Sequence, residues 1–129
     1  AMMAAIYLAE IQTKYGKSAE AEATLKRVSS SGNSMISGLV LKLLGTTQAN
    51  LNNCSGAIDT WKKVLMISEA KALSNEVRLN MALCYESMQD FGNAEKMYLE
   101  IKNTEPTSPV ARTAENYLKV LKAKSNQTK

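Results

Sequence analysis

Cys54 and Cys84 are the side chains of this sequence with the most intrinsic reactivity, open to disulfide formation, metal ligation or nucleophilic attack. They lie 30 residues apart (84 − 54), and neither has a second Cys or a His at ligand spacing, which argues against zinc. The chain contains no histidine, so neither a Ser-His-Asp nor a Cys-His arrangement can be assembled. Buried free thiols are the expected state of the two cysteines; a bridge depends on geometry and compartment and stays open. The carboxylate pairs Glu20/Glu22 and Glu95/Glu100 fall on helical faces among lysines, as solvated charges rather than acid/base pairs. Ser30-Ser31-Gly32-Asn33 lacks the lysine and preceding strand of a phosphate loop and reads as a turn and helix cap. The expectation is a non-catalytic chain with no metal and no cofactor.

Charge narrows the partners. Sixteen Lys/Arg against twelve Asp/Glu leave +4, but the basic residues are spread along the chain and only Lys119, Lys122 and Lys124 cluster. A nucleic-acid stripe needs concentrated Lys/Arg with base-reading side chains, so no nucleic-acid partner is expected. Apolar runs such as Val64-Leu65-Met66-Ile67 are far below the ~20 residues that cross a bilayer, so no membrane span lies within the sequence. The opening Ala1-Met2-Met3-Ala4-Ala5-Ile6 lacks the basic segment and cleavage site of a signal peptide and already has helical periodicity; the chain reads as part of something longer.

The elements that carry these residues repeat. Leu8-Ala9…Ala21…Leu25…Val28 is echoed by Leu44-Gly45…Ala57…Trp61…Val64 and by Met81-Ala82…Ala94…Tyr98…Ile101. Ala21 to Ala57 is 36 residues and Ala57 to Ala94 is 37, a period that marks a stacked array. Seven Met with one Trp and one Phe suit an all-α interior better than a sheet. Helical spacing of apolar residues predicts helices near 2–15, 18–30, 34–51, 54–68, 71–89, 91–103 and 109–123. Tight breaks at Tyr15-Gly16-Lys17, Asn52-Asn53 and Gln89-Asp90 pair them into three hairpins, about 2–33, 34–70 and 71–106. Small residues (Ala9, Gly45, Ala82; Ala21, Ala57, Ala94) allow close backbone approach, and Leu25, Trp61 and Tyr98 are expected to fill the groove between hairpins. Ser108 caps the last helix with Pro109 at its first position, and Val110, Ala114, Tyr117, Leu118 and Leu121 form the stripe of a closing helix over 109–123. One domain spans 1–124, and 125–129 is expected to be a disordered tail.

These motifs resemble the tetratricopeptide repeat, abbreviated TPR. The third repeat fits best, with Met81-Ala82, Tyr85, Phe91, Ala94, Tyr98 and Pro106; the first and second carry Gln12 and Gln48 where the first-helix aromatic is usual. The resemblance covers 2–106 and implies a right-handed α-α superhelix of three TPR-like hairpins plus a C-terminal capping helix. The period exceeds the usual 34, and in this and in Gly45…Ala57…Trp61 the chain is similar to bacterial envelope TPR proteins such as the ancillary subunit of the secretion translocon. That likeness implies the periplasmic face of an inner membrane and an anchor upstream of Ala1; a cytoplasmic adaptor is the alternative.

The family's first helices line a concave groove that takes a protein or peptide partner. Projected onto this chain, the groove consists of Ile6, Glu10 and Lys14, then Leu39, Lys42, Thr46 and Asn50, then Glu76, Leu79, Leu83 and Glu86. Ile6, Glu10, Leu43, Glu76 and Asn80 at the positions that clamp a terminal carboxylate in chaperone-tail receptors disfavour a heat-shock adaptor, since two acids repel a carboxylate. The expected function is a non-catalytic interaction scaffold. The alternative is a self-assembly element in which Met2, Ile6 and the first helix pack on a second copy as a homo-oligomer.

Overall fold

The computed structural model describes residues 2–29 and 34–127. Among these are seven α-helices and one 3-10 segment: α1 Met2–Lys14, α2 Ser18–Lys26, α3 Met35–Asn50, α4 Cys54–Leu65, the 3-10 segment Ser68–Leu73, α5 Ser74–Ser87, α6 Phe91–Thr104 and α7 Pro109–Gln127. They fall into two compact units, Ala1–Ser74 and Asn75–Lys129.

Each hairpin turns in the same way. Lys17, Asn53 and Asp90 donate their backbone N–H five residues back, to the carbonyls of Gln12, Gln48 and Tyr85. Gly16, Asn52 and Gln89 donate three residues back, to Thr13, Ala49 and Glu86. This pairing satisfies the last carbonyls of α1, α3 and α5, and it requires a left-handed residue at its centre. Gly16 (φ 76°), Asn52 (φ 61°) and Gln89 (φ 59°) supply it. The next helix then starts at once: the Asn53 side chain accepts from Gly56 N and that of Asp90 from Asn93 N.

In the first unit, Ile6 and Ala9 of α1, Ala21 and Leu25 of α2, and Val40 and Leu44 of α3 form a core on which Met2, Val28, Leu39 and Leu43 pack. Ile6 is thus spent on the interior of its own unit, which corrects the expectation that it presents a surface to a second copy, while Met2 is half-buried against that core. α4 closes on α3 through Trp61, 2% exposed. Gly45 lies directly beneath the indole, where a Cβ would collide with Trp61 Nε1, and that nitrogen donates to Lys42 O at 3.1 Å. Trp61 therefore fills a groove inside its own hairpin. The 3-10 segment replaces the first turn of a helix predicted from residue 71. Ala70 leaves helical geometry (φ −107°, ψ 19°) and rests against Gly38, whose missing side chain makes the space.

In the second unit, α5 and α6 are antiparallel. At one end buried Asn75 donates to Thr104 Oγ1 at 3.0 Å and accepts from Arg78 Nη1 at 2.8 Å, while Arg78 Nε pairs with Glu100 at 3.3 Å. At the other end Tyr98 of α6 reaches Glu86 of α5. α7 opens as the sequence predicts: Ser108 Oγ accepts from Ala111 N at 3.1 Å, Pro109 follows, and Ala111, Ala114, Leu118 and Leu121 are buried. It then continues through 125–126 to Gln127, because no Gly or Pro interrupts it; the tail expected from 125 is helical to there, and 128–129 lie outside the described residues. So do Ser30–Asn33, with the turn and cap expected of them. α2 stops at Lys26 rather than 30.

Candidate functional site

The recurring feature inside the hairpins is a side-chain clasp between first and second helix. Thr24 Oγ1 donates to Gln12 Oε1 at 2.9 Å, Thr60 Oγ1 donates to Gln48 Oε1 at 2.6 Å, and Tyr98 OH donates to Glu86 Oε2. Each spans twelve residues and crosses the turn just described. Gln12 and Gln48, which depart from the aromatic expected of a tetratricopeptide repeat, are the acceptors; a polar tie to a threonine stands in for ring packing. Buried Gln48 is satisfied this way, which such a residue must be. In the third hairpin Tyr85 keeps the aromatic and the acceptor moves one residue on, to Glu86. The signal lies in the sequence as Gln followed by Thr at plus twelve, twice, 36 residues apart.

Glu86 is one of the groove positions, and its carboxylate is already engaged. Its side chain is 14% exposed, accepts from Tyr98 and pairs with Lys124 Nζ of α7 at 3.6 Å. Tyr98 is buried, its ring meeting Tyr117 edge-on with centroids 6.1 Å apart. Burial first, then the hydrogen bond to Glu86 and its charge, and Tyr117 last, push the Tyr98 phenol well above the ordinary tyrosine value. A phenol held protonated is a fixed donor, suited to holding α5, α6 and α7 together.

The other projected positions divide by unit. On the first, Glu10, Lys14 and Asn50 are exposed, Leu39, Lys42 and Thr46 are half-buried, and Ile6 is in the core. α1 and α3 are neighbours, with Ser37 Oγ of α3 reaching Met2 Sδ of α1 at 4.0 Å. Leu39 is also core packing, and Thr46 Oγ1 turns back to Lys42 O at 3.1 Å. On the second unit, Glu76 and Leu83 are exposed and Leu79 is half-buried along α5. A small cavity of ≈ 290 Å³ lies between the start of α6 and the end of α7, with Phe91 and Leu121 as apolar walls and Glu95, Lys122 and Asn126 at its rim.

No three metal-binding side chains converge among the described residues, and no described helix is long and apolar enough to cross a membrane. Neither cysteine is a free thiol: Cys54 and Cys84 are both disulfide-bonded, which corrects the expectation of buried free thiols.

Solved structures share the fold. The chain is similar to PcrH in complex with the chaperone binding region of PopD at 15% identity and a TM-score of 0.81, covering 95% of this chain and 92% of that one. It is similar to the Yersinia enterocolitica type III secretion translocator chaperone SycD at 14% identity and 0.81, covering 97% and 86%. For a type III secretion complex from Aeromonas hydrophila the values are 19% and 0.79, covering 97% and 83%. At these identities the likeness shows the fold, which is all-α and TPR-like. No curated protein matches the chain in sequence. A family model does, over residues 44–123, and the chain therefore belongs to the family described as a domain of unknown function (DUF6340).

Proposed function

We propose that the chain is a non-catalytic scaffold that holds a protein partner on the first-helix faces of its hairpins. The observation that supports this is that α1 and α3 are neighbours carrying exposed Glu10, Lys14 and Asn50 and half-buried Leu39, Lys42 and Thr46. Such a surface suits an extended or helical segment with apolar anchors and charges of both signs. Glu76, Leu79 and Leu83 offer α5 a surface of the same kind. The fold supports the reading, since PcrH carries a bound protein segment, the chaperone binding region of PopD.

The setting is an assembly of the bacterial envelope or of secretion. Two cysteines that are both disulfide-bonded favour an oxidising compartment such as the periplasm over a cytoplasmic adaptor. Alkylation of the native protein under non-reducing conditions checks this: no mass increase supports an oxidising site, and modification of both thiols argues for the cytoplasm.

The partner is found by capture on the immobilised chain and identified by mass spectrometry, and its binding is then measured with purified components. Lys14→Glu with Asn50→Glu should weaken that binding at least tenfold while helicity is unchanged. Equal affinity of wild type and variant would overturn the groove assignment.

A further inference from the structure

α1 is apolar on two sides. Ala5, Ile6 and Ala9 face the core, while Met3, Tyr7, Leu8, Ile11 and Tyr15 are 43% to 71% exposed on the opposite side, with Ala4 exposed among them. Glu10 and Lys14 are the only charged residues in the helix. A helix that is apolar all round is normally covered, whereas α7 has a polar outer side with Arg112, Glu115, Lys119 and Lys122.

The spacing of the outer stripe identifies what covers it. Ala4, Leu8, Ile11 and Tyr15 are separated by four, three and four residues, the 3.5-residue seam along which two helices supercoil. The stripe is also complementary to its own reverse. In an antiparallel pair centred between residues 9 and 10, Ala4 faces Tyr15 of the other copy, small against large, and Leu8 faces Ile11. Lys14 comes beside the ring of Tyr7, a cation–π contact, rather than beside another lysine. A parallel pair would stack Tyr15 on Tyr15 and leave a gap at Ala4. We infer that the outer face of α1 is the seam of a two-fold dimer, each copy laying its first helix antiparallel on that of the other. The stripe exposes on the order of 500 Å² per copy, at the low end for specific association, so the dimer is weak and forms at micromolar concentration or above. The seam and the groove share Lys14 and otherwise use different residues of α1, so the variants that test the seam are placed at Leu8 and Ile11, outside the groove.

Sedimentation equilibrium from about 1 μM to 1 mM should show the mass rising from 14.1 kDa toward twice that value. Leu8→Glu alone and Ile11→Lys alone change exposed positions, so both should keep wild-type circular dichroism while dissociating at least tenfold more readily. Mixing the two variants should restore the dimer, because position 8 of one copy faces position 11 of the other and the new charges are opposite. Wild type that is monomeric at every concentration would assign the stripe to another occupant and overturn the inference. A mixture no tighter than the separate variants would overturn the antiparallel register.

Discussion

The second and third hairpins seat a bulky second-helix aromatic at the same place in the repeat by different physics. In the second, Gly45 removes the side chain beneath Trp61, and the indole lies on the helix and gives its one proton to a backbone carbonyl. In the third, Ala82 stands at the equivalent position, and Tyr98 is held by its hydroxyl on Glu86 and by the edge of Tyr117. The first arrangement depends on volume and is indifferent to pH. The second is electrostatic and draws in α7 through Lys124. A repeat thus specifies that an aromatic be buried and leaves open what holds it.

The largest effect should come from Gly45→Val. Although replacing glycine by valine favours a helix interior by roughly 0.3 kcal/mol, the new side chain meets the indole with no room to shift. Displacing a fully packed Trp and losing its hydrogen bond should win, with a net cost of about 3 kcal/mol in denaturant unfolding. A loss below about 1 kcal/mol would show that the seat is soft and the comparison misdrawn.

Tyr98→Phe sharpens the other side. Removing the hydroxyl keeps the ring and should cost about 1–2 kcal/mol, since Glu86 retains Lys124. It should also change the pH profile. The unfolded phenol gives up its proton near the ordinary value of about 10, whereas the folded one holds it, so wild-type stability is complete below that pH and falls as pH rises beyond it. The variant should lack that component of the alkaline decline; an unchanged slope in thermal melts at pH 9 to 11 would remove the electrostatic half of the contrast.

The smallest effect is a gain. Gln89 occupies the left-handed turn position that Gly16 and Asn52 fill without strain or nearly so. Gln89→Gly should therefore stabilise by about 1 kcal/mol. Asn52→Gly, starting from a residue that already tolerates the geometry, should yield less, and the order of the two midpoints in urea checks the assignment.

Much of this was legible in the residues. The period, the three turns and the closing helix follow from Ala21, Ala57 and Ala94, from Gly16 and Asn52, and from Ser108-Pro109. The left-handed state of Gln89 is visible only through its phase with those two, because glutamine itself carries no such preference. Gln12 and Gln48 look like departures from a motif until the threonines twelve residues later are seen to answer them. The break at Ala70 was hidden, since Ser68–Leu73 has good helix composition and its geometry comes from a tertiary contact with Gly38. The groove on α1 and α3 is a projection from the repeat, and which of its residues double as core, as Ile6 and Leu39 do, depends on packing.

The two glutamine–threonine clasps have a mechanical corollary. Each ties the legs of one hairpin together near its bend, so a hairpin under tension cannot slide and must part whole. A chain drawn out by its ends in an optical trap under reducing conditions, so that Cys54 and Cys84 are thiols, should lengthen in steps, the first two hairpins each releasing about 36 residues, or roughly 12 to 13 nm of contour.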